Sequence, residues 1–364
     1  MIPFSVLDLV PINEGSNASH AFHNMLDLAQ HCEKLGFNRY WLAEHHGMPS
    51  IASAATSVLI GQIGRVTQTM RIGAGGIMLP NHSPLVIAEQ FGTLESLFPG
   101  RIDLGLGRAP GSDQAVARAL RRSLTTDPEA FPQDVEELMA YFSGKVRDGS
   151  VVAVPGAGLS MPIWILGSSL FGAQLAAKMG LPFAFASHFA PAMMMEALAV
   201  YRATFQPSKQ LEKPYVMLGF NVLAADTARE AAFHASSVQQ SFINLRTGQR
   251  KRLPPPVDNY LKQLDWRELN ILEQILTCSA IGSPETVEQD IRDFLKLTEA
   301  NELMITCQMY DHAARLRSYE IVAEIQKSLP PAPLASQDAD SAGEPVKESM
   351  LQRLAGLLSP AAKR

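Results

Sequence analysis

Arg39–His46 reads R-Y-W-L-A-E-H-H, and its composition decides the fold. Two aromatics and a leucine give it the character of a short buried strand, which then stops in three ionisable residues, Glu44, His45 and His46. A helix-like run, Ile51–Val66, follows almost at once. Apolar strand, titratable cluster, then helix is how a βα-barrel presents chemistry at the carboxyl end of a strand.

Working outward from this stretch, the same rhythm recurs. Towards the N-terminus, Phe4–Leu9 reads as a first strand with Asp8 near its end. Ala18–Leu35 repeats apolar residues at a helical period until Gly36 stops it. Downstream, Arg71–Leu79 is a third strand ending in Pro80-Asn81-His82, and Ser83-Pro84 opens a helix that runs to Leu97 or Phe98. Arg101–Gly107 is a fourth strand with Arg108 at its mouth. Pro162–Leu166 ends in Gly167-Ser168-Ser169, and Pro182–Ala186 ends in Ser187-His188. Tyr215–Leu223 precedes a helix capped by Asp226, Ser283-Pro284 starts another well-capped helix, and Leu303–Tyr310 ends in Asp311-His312.

Eight apolar strands alternating with helices predict an α/β fold, a (β/α)8 TIM barrel with insertions after strands 4 and 7. The first insertion, residues 111–160, is expected to hold a helix near Pro132–Phe142 and a small hairpin around Val151–Leu159. The second, Gln249–Trp266, contains Pro254-Pro255-Pro256. The barrel domain spans residues 1–329, and 330–364 form a low-complexity linker and C-terminal tail. Within that tail Pro330–Ser349 has a disordered composition, and Met350–Leu358 reads either as a short docking helix or as plain tail.

Composition narrows the function. Lys and Arg number 31 against 36 Asp and Glu, a net charge of −5, which argues against a nucleic-acid or anionic-membrane partner. Cys32, Cys278 and Cys307 have neither metal nor redox spacing and read as small buried hydrophobes in a reducing compartment. The N-terminus lacks a basic region, and no apolar run approaches the ~18 residues of a membrane span. A cytoplasmic protein is expected.

Five of the nine histidines fall at strand exits: His45, His46, His82, His188 and His312. Such a rim suits proton transfer near neutral pH or metal binding. Adjacent His45 and His46 point to opposite sides of an extended chain, so at most one faces the pocket, which weakens a metal reading of the pair. A barrel hydrolase built on metal would commonly carry H-x-H on strand one, which is absent here, and no metal ligands are assigned. Glycines at 75 and 76 are costly in a sheet unless a flat group presses on the backbone or the barrel bends there. Arg108 adds a permanent cation suited to phosphate, and Ser168-Ser169 before a helix start offers hydroxyls and free N–H groups for the same anion.

With these residues assembled, the chain resembles the bacterial luciferase-like, flavin-dependent monooxygenase family over roughly Pro3–Leu329. The likeness rests on W-L-A-E-H-H (41–46), R-I-G-A-G-G-I-M-L-P (71–80), E-Q-F-G-T-L-E-S-L-F-P-G-R-I-D-L-G-L-G-R (89–108), P-I-W-I-L-G-S-S (162–169) and G-S-P-E-T-V (282–287). It lies nearer the single-subunit oxidoreductases than the light-emitting heterodimer. The resemblance implies FMN across the barrel mouth, its ring against Gly75-Gly76, where relatives often hold a non-proline cis peptide. It places the phosphate between Arg108 and Ser168-Ser169. His45 matches the family's catalytic histidine, with Glu44 and His46 as supporting neighbours, and Asp8 and Asn81 as further pocket candidates.

Reduced FMN would come from a separate flavin reductase, with O2 as co-substrate and a small organic molecule as substrate. Helices 51–66 and 84–98 match the family's dimer interface, so a homodimer is expected. Gly107 stands where the light-emitting enzyme has a reactive cysteine, and Gly167 where it has an acidic residue, so its aldehyde chemistry does not carry over. An F420-dependent oxidoreductase on the same fold, a metal-dependent hydrolase using the His-rich rim and a non-catalytic flavin-binding protein are the rival readings.

Overall fold

The computed structural model describes residues 1–108, 116, 119–120, 130–144 and 151–329. Its first four strands are β1 (Phe4–Asp8), β2 (Arg39–Leu42), β3 (Arg71–Met78) and β4 (Ile102–Gly107). They are followed by β5 (Ile163–Gly167), β6 (Phe183–Phe185), β7 (Val216–Ala224), β8 (Ser279–Gly282) and β9 (Glu302–Thr306). All pairings between them are parallel. Eight of the strands close into a barrel in the order β6-β5-β4-β3-β2-β1-β9-β7, sealed by β6 against β7. The barrel and its ring of helices are therefore those expected from the sequence.

The ninth strand is not. Long β7 pairs with β9 over Met217–Asn221, then diverges to pair with β8 over Asn221–Ala224. Four residues reading S-A-I-G are too few and too mixed to announce a strand. The expected hairpin at Val151–Leu159 is also overturned: the segment folds into successive turns, and its Pro155 has no N–H to give to a ladder. The expected linker and tail at 330–364, and most of the first insertion ahead of its helix, lie outside the described residues.

The helices are α1 (Ala18–Leu35), α2 (Thr56–Val66), α3 (Pro84–Leu97), α4 (Phe131–Phe142) and α5 (Leu170–Met179). After these come α6 (Met194–Thr204), α7 (Ala228–Arg246), α8 (Trp266–Ile275), α9 (Pro284–Thr298) and α10 (His312–Ser328). Helix α2 starts five residues later than its apolar pattern suggests, because Ser53 turns back to donate to the Ala43 carbonyl. The cap of α7 is Thr227, whose hydroxyl accepts from the Glu230 amide, while Asp226 pairs with Arg317 at 2.9 Å. At α9, Ser283 bonds the side chains of Glu285 and Thr286 and caps no backbone N–H.

Period-two alternation sorts the strand residues into two cores. Phe4, Val6, Tyr40 and Leu42 pack outward under the helices. Leu7, Trp41, Ala43, Trp164, Ala184, Met217 and Met304, drawn only from strands and strand exits, form a separate cluster that fills the lumen. Trp41 and Trp164 meet edge-to-face with centroids 5.2 Å apart.

Below this layer the lumen floor is ionic. Arg39 donates to Glu302 and to Asp103, both at 2.8 Å, and Arg71 reaches the second Asp103 oxygen at 2.6 Å. Trp41 Nε1 donates to Asp103 at 3.1 Å, while Ser5 and Tyr215 hydroxyls donate to Glu302. Asp103 and Glu302 are fully buried, yet each carboxylate oxygen has a partner, which is the condition for tolerating charge in a core.

Candidate active site at the barrel mouth

The mouth is built from the exits of β2 to β7. Lumen-facing Trp41 and Ala43 set the alternation, so His45 continues on the lumen side while Glu44 and His46 lie on the other. Burial lowers the His45 pKa, and the nearby His46 pushes the same way against the Glu44 charge. His45 is thus a neutral imidazole at pH 7, half-buried at the top of the lumen.

Glu44 is 1% exposed. Its Oε1 lies 2.7 Å from His46 Nε2 and 2.8 Å from His82 Nε2, and its Oε2 accepts the Met78 amide at 3.0 Å. Burial on its own would raise this carboxyl, but the bonds from His82, His46 and Met78 outweigh it and hold the pKa low. Glu44 therefore ties the exit of β2 to that of β3. His82 was visible only as one histidine of the rim; its convergence on Glu44 depends on the turn Leu79–Asn81, which no spacing rule announces.

The peptide between Gly75 and Gly76 is cis, and the β3–β4 register shifts between Ala74 and Ile77. A Cβ at Gly76 would fall 2.6 Å from the Gly105 carbonyl oxygen, so close approach of two backbones already requires glycine there. Next door the space is open: a Cβ at Gly107 would meet only the Ile77 carbonyl, 3.8 Å away.

Arg108 is half-buried, its guanidinium carbon 3.9 Å from the centre of the Phe171 ring in the first turn of α5. The same helix begins at Ser169, whose hydroxyl makes no cap bond, and Ser168 beside it is exposed. A cation, two hydroxyls and a helix N-terminus thus meet at one edge of the mouth. Asn81 sits half-buried in the turn after β3.

Asp8 is not brought to the pocket. It lies on the outward face of β1, where its carboxylate binds Arg315 at 2.7 Å, the Tyr40 hydroxyl and the Val10 amide. His312 is likewise diverted, to Asp27 on α1 at 2.9 Å. His188 does face the mouth. Burial pulls its pKa down to about 4, and His45 adds to the effect. Its ring lies where a side chain on Gly219 would be, 2.1 Å from that Cβ position, and its carbonyl accepts from Asn221 at 2.8 Å. Neither Asn221 nor Gly219 carries a sequence signal, since both lie inside an apolar strand.

Comparison with known proteins gives the family of the chain. The luciferase-like monooxygenase family model matches residues 2–300. A luciferase-like monooxygenase of Escherichia coli K12 is 53% identical over 328 residues, covering 90% of this chain and 98% of that one. The crystal structure of apo-MsnO8 superposes with a TM-score of 0.80 at 31% identity, over 91% of this chain and 100% of that one. Two more distant barrels share the fold alone. One is the oxygenating constituent of 3,6-diketocamphane monooxygenase from Pseudomonas putida with FMN (17% identity, TM-score 0.67, 89% and 97% coverage). The other is an F420-dependent secondary alcohol dehydrogenase with an F420-acetone adduct (14%, 0.64, 89% and 98%). By its family match and its relatives of 30% identity or more, the protein is an enzyme of the monooxygenase class. Within that class, the chain belongs to the luciferase-like monooxygenase family.

Proposed function

We propose that this enzyme binds FMN, takes it up reduced from a separate flavin reductase, and uses it with O2 to oxygenate a small organic substrate. The observation that carries FMN is the anion site at α5: Arg108 held over the Phe171 ring, near a Ser169 hydroxyl that makes no cap bond to the helix. A terminal phosphate is the group such a site suits. Ser168 would add a second hydroxyl, and Gly75 and Gly76 would present bare backbone to the planar ring, with Asn81 at its edge.

Bound there, reduced flavin supplies the electrons that activate O2. The protein's own part is proton management and exclusion of water. His45, neutral and lumen-facing, can take or return a proton at a ring nitrogen as the substrate reacts. Glu44 and His46 act behind it, fixing the β2 exit. The lining below (Leu7, Trp41, Trp164, Met304) is apolar and favours an uncharged substrate moiety. Exposed Val58 on α2 with Val86 and Leu97 on α3 support pairing of two such chains as a homodimer. We assign residues 1–329 to the catalytic domain and 330–364 to an appended tail.

Titrating the apoprotein with FMN and with F420 tests the cofactor: flavin fluorescence should change saturably with FMN, and preference for F420 would replace this reading with the deazaflavin one. Product formation with reduced FMN, lost in His45→Ala while FMN stays bound, separates an oxygenase from a flavin-storage protein.

A further inference from the structure

We infer that Glu44, His46 and His82 form a binding site for one divalent first-row cation, for which Zn2+ is the fitting probe. The inference does not rest on the flavin reading. The three ligand atoms lie within 4.8 Å of one another and come from two adjacent strand exits, where barrels place their reactive groups. Two imidazoles and one carboxylate are the donor set that borderline cations prefer, and they leave one coordination position for water.

Three features of the geometry suit an ion. Both imidazoles approach the carboxylate through Nε2, so the same atoms that now donate to Glu44 Oε1 can, with the ring proton moved to Nδ1, offer lone pairs. Glu44 is oriented by the Met78 amide on its other oxygen, the supporting contact that metal-ligating carboxylates commonly have. The histidines are open to entering ions, with side-chain exposures of 17% and 27% against 1% for Glu44. Tetrahedral ligand atoms stand about 3.3 Å apart, so each His–Glu separation must open by roughly half an ångström. Imidazoles that reach the surface in this way can make that movement without disturbing the buried carboxylate. His45 lies between two of the ligands in the chain but on the lumen side, so it is left out of the site and free for chemistry.

The test is calorimetric titration of Zn2+ into the full-length apoprotein near neutral pH, followed by the absorption spectrum with Co2+ in its place. One saturable site of micromolar or tighter affinity is expected, weakened at least tenfold in both His82→Ala and His46→Ala. The Co2+ complex should show the intense visible bands of a tetrahedral site. Absence of saturable binding below millimolar Zn2+, or unchanged affinity in both variants, overturns the inference. Should a variant fail to fold, an octahedral, weakly absorbing Co2+ complex of the wild-type protein overturns it alone.

Discussion

The two ends of this barrel bury charge in opposite ways. At the floor, Arg39, Arg71, Asp103 and Glu302 are locked into one another, with Trp41, Ser5 and Tyr215 filling the remaining acceptor positions. At the mouth, His45 makes no hydrogen bond to a described residue that could hold it, Arg108 leans on a ring, and the Ser169 hydroxyl is unspent as a cap. The floor spends its polar groups on the fold, whereas the mouth keeps them for something else. Barrel stability and barrel chemistry are thus divided between the two ends of one barrel.

The largest expected effect breaks the floor. Asp103→Ala leaves Arg39 and Arg71 without their shared carboxylate, and should cost about 3–5 kcal/mol in urea unfolding. A loss under about 1 kcal/mol would mean that water replaces the ion pair and the division of labour is wrong. At the mouth, His45→Ala should lower turnover by about 10²–10⁴-fold while unfolding changes by less than about 0.5 kcal/mol. Next, Arg108→Ala should weaken FMN binding by about 1–3 kcal/mol, read as a change in Kd by fluorescence titration, again with little effect on stability.

The pH dependence of stability sharpens the contrast. His188 falls from its ordinary 6.5 to about 4 in the fold, and His45 moves the same way, so the unfolded chain binds protons that the native one refuses. The His188 contribution is complete above pH 6.5 and is lost as pH falls toward about 4, and His45 loses its own in the same direction. Glu44 acts lower: its depressed carboxyl stabilises the fold above its ordinary 4.5 and ceases to do so as pH falls through the folded value. His188→Gln should flatten the urea-midpoint profile between pH 6.5 and about 4 while leaving its more acid limb unchanged. The smallest effect is expected at Ser169. Replacing it by Ala should change stability by less than about 0.5 kcal/mol, whereas Asp265→Ala, which removes a true capping box, should cost about 1 kcal/mol.

Much of the site was legible in the sequence because a strand exit is a local event. The run W-L-A-E-H-H shows where β2 ends, and G-S-S before a helical pattern shows an N-terminus. What escaped was side-chain direction and distant partnership. Asp8, one residue before Leu9, looks like a mouth residue, yet it faces outward to Arg315, 307 positions away. The floor escaped for the same reason: Ser5 finds Glu302 across 297 residues, and charged residues at strand starts read as solvent-facing ends. The short strand Ser279–Gly282 exists only because β7 is long enough to serve two neighbours.

The sequence by itself determined the eight-strand βα rhythm and the mouth where titratable residues collect, because strands buried on both faces must be apolar along their length and stop abruptly where they surface. Only the tertiary structure decided which of those residues meet. Pairing of β2 with β3 and the turn Leu79–Asn81 carry His82 onto Glu44, while closing the barrel brings His188 toward His45 and gives Asp103 and Glu302 the partners that let them stay charged inside. Period two fixes alternation but not which side is the lumen, and that choice belongs to the closed sheet.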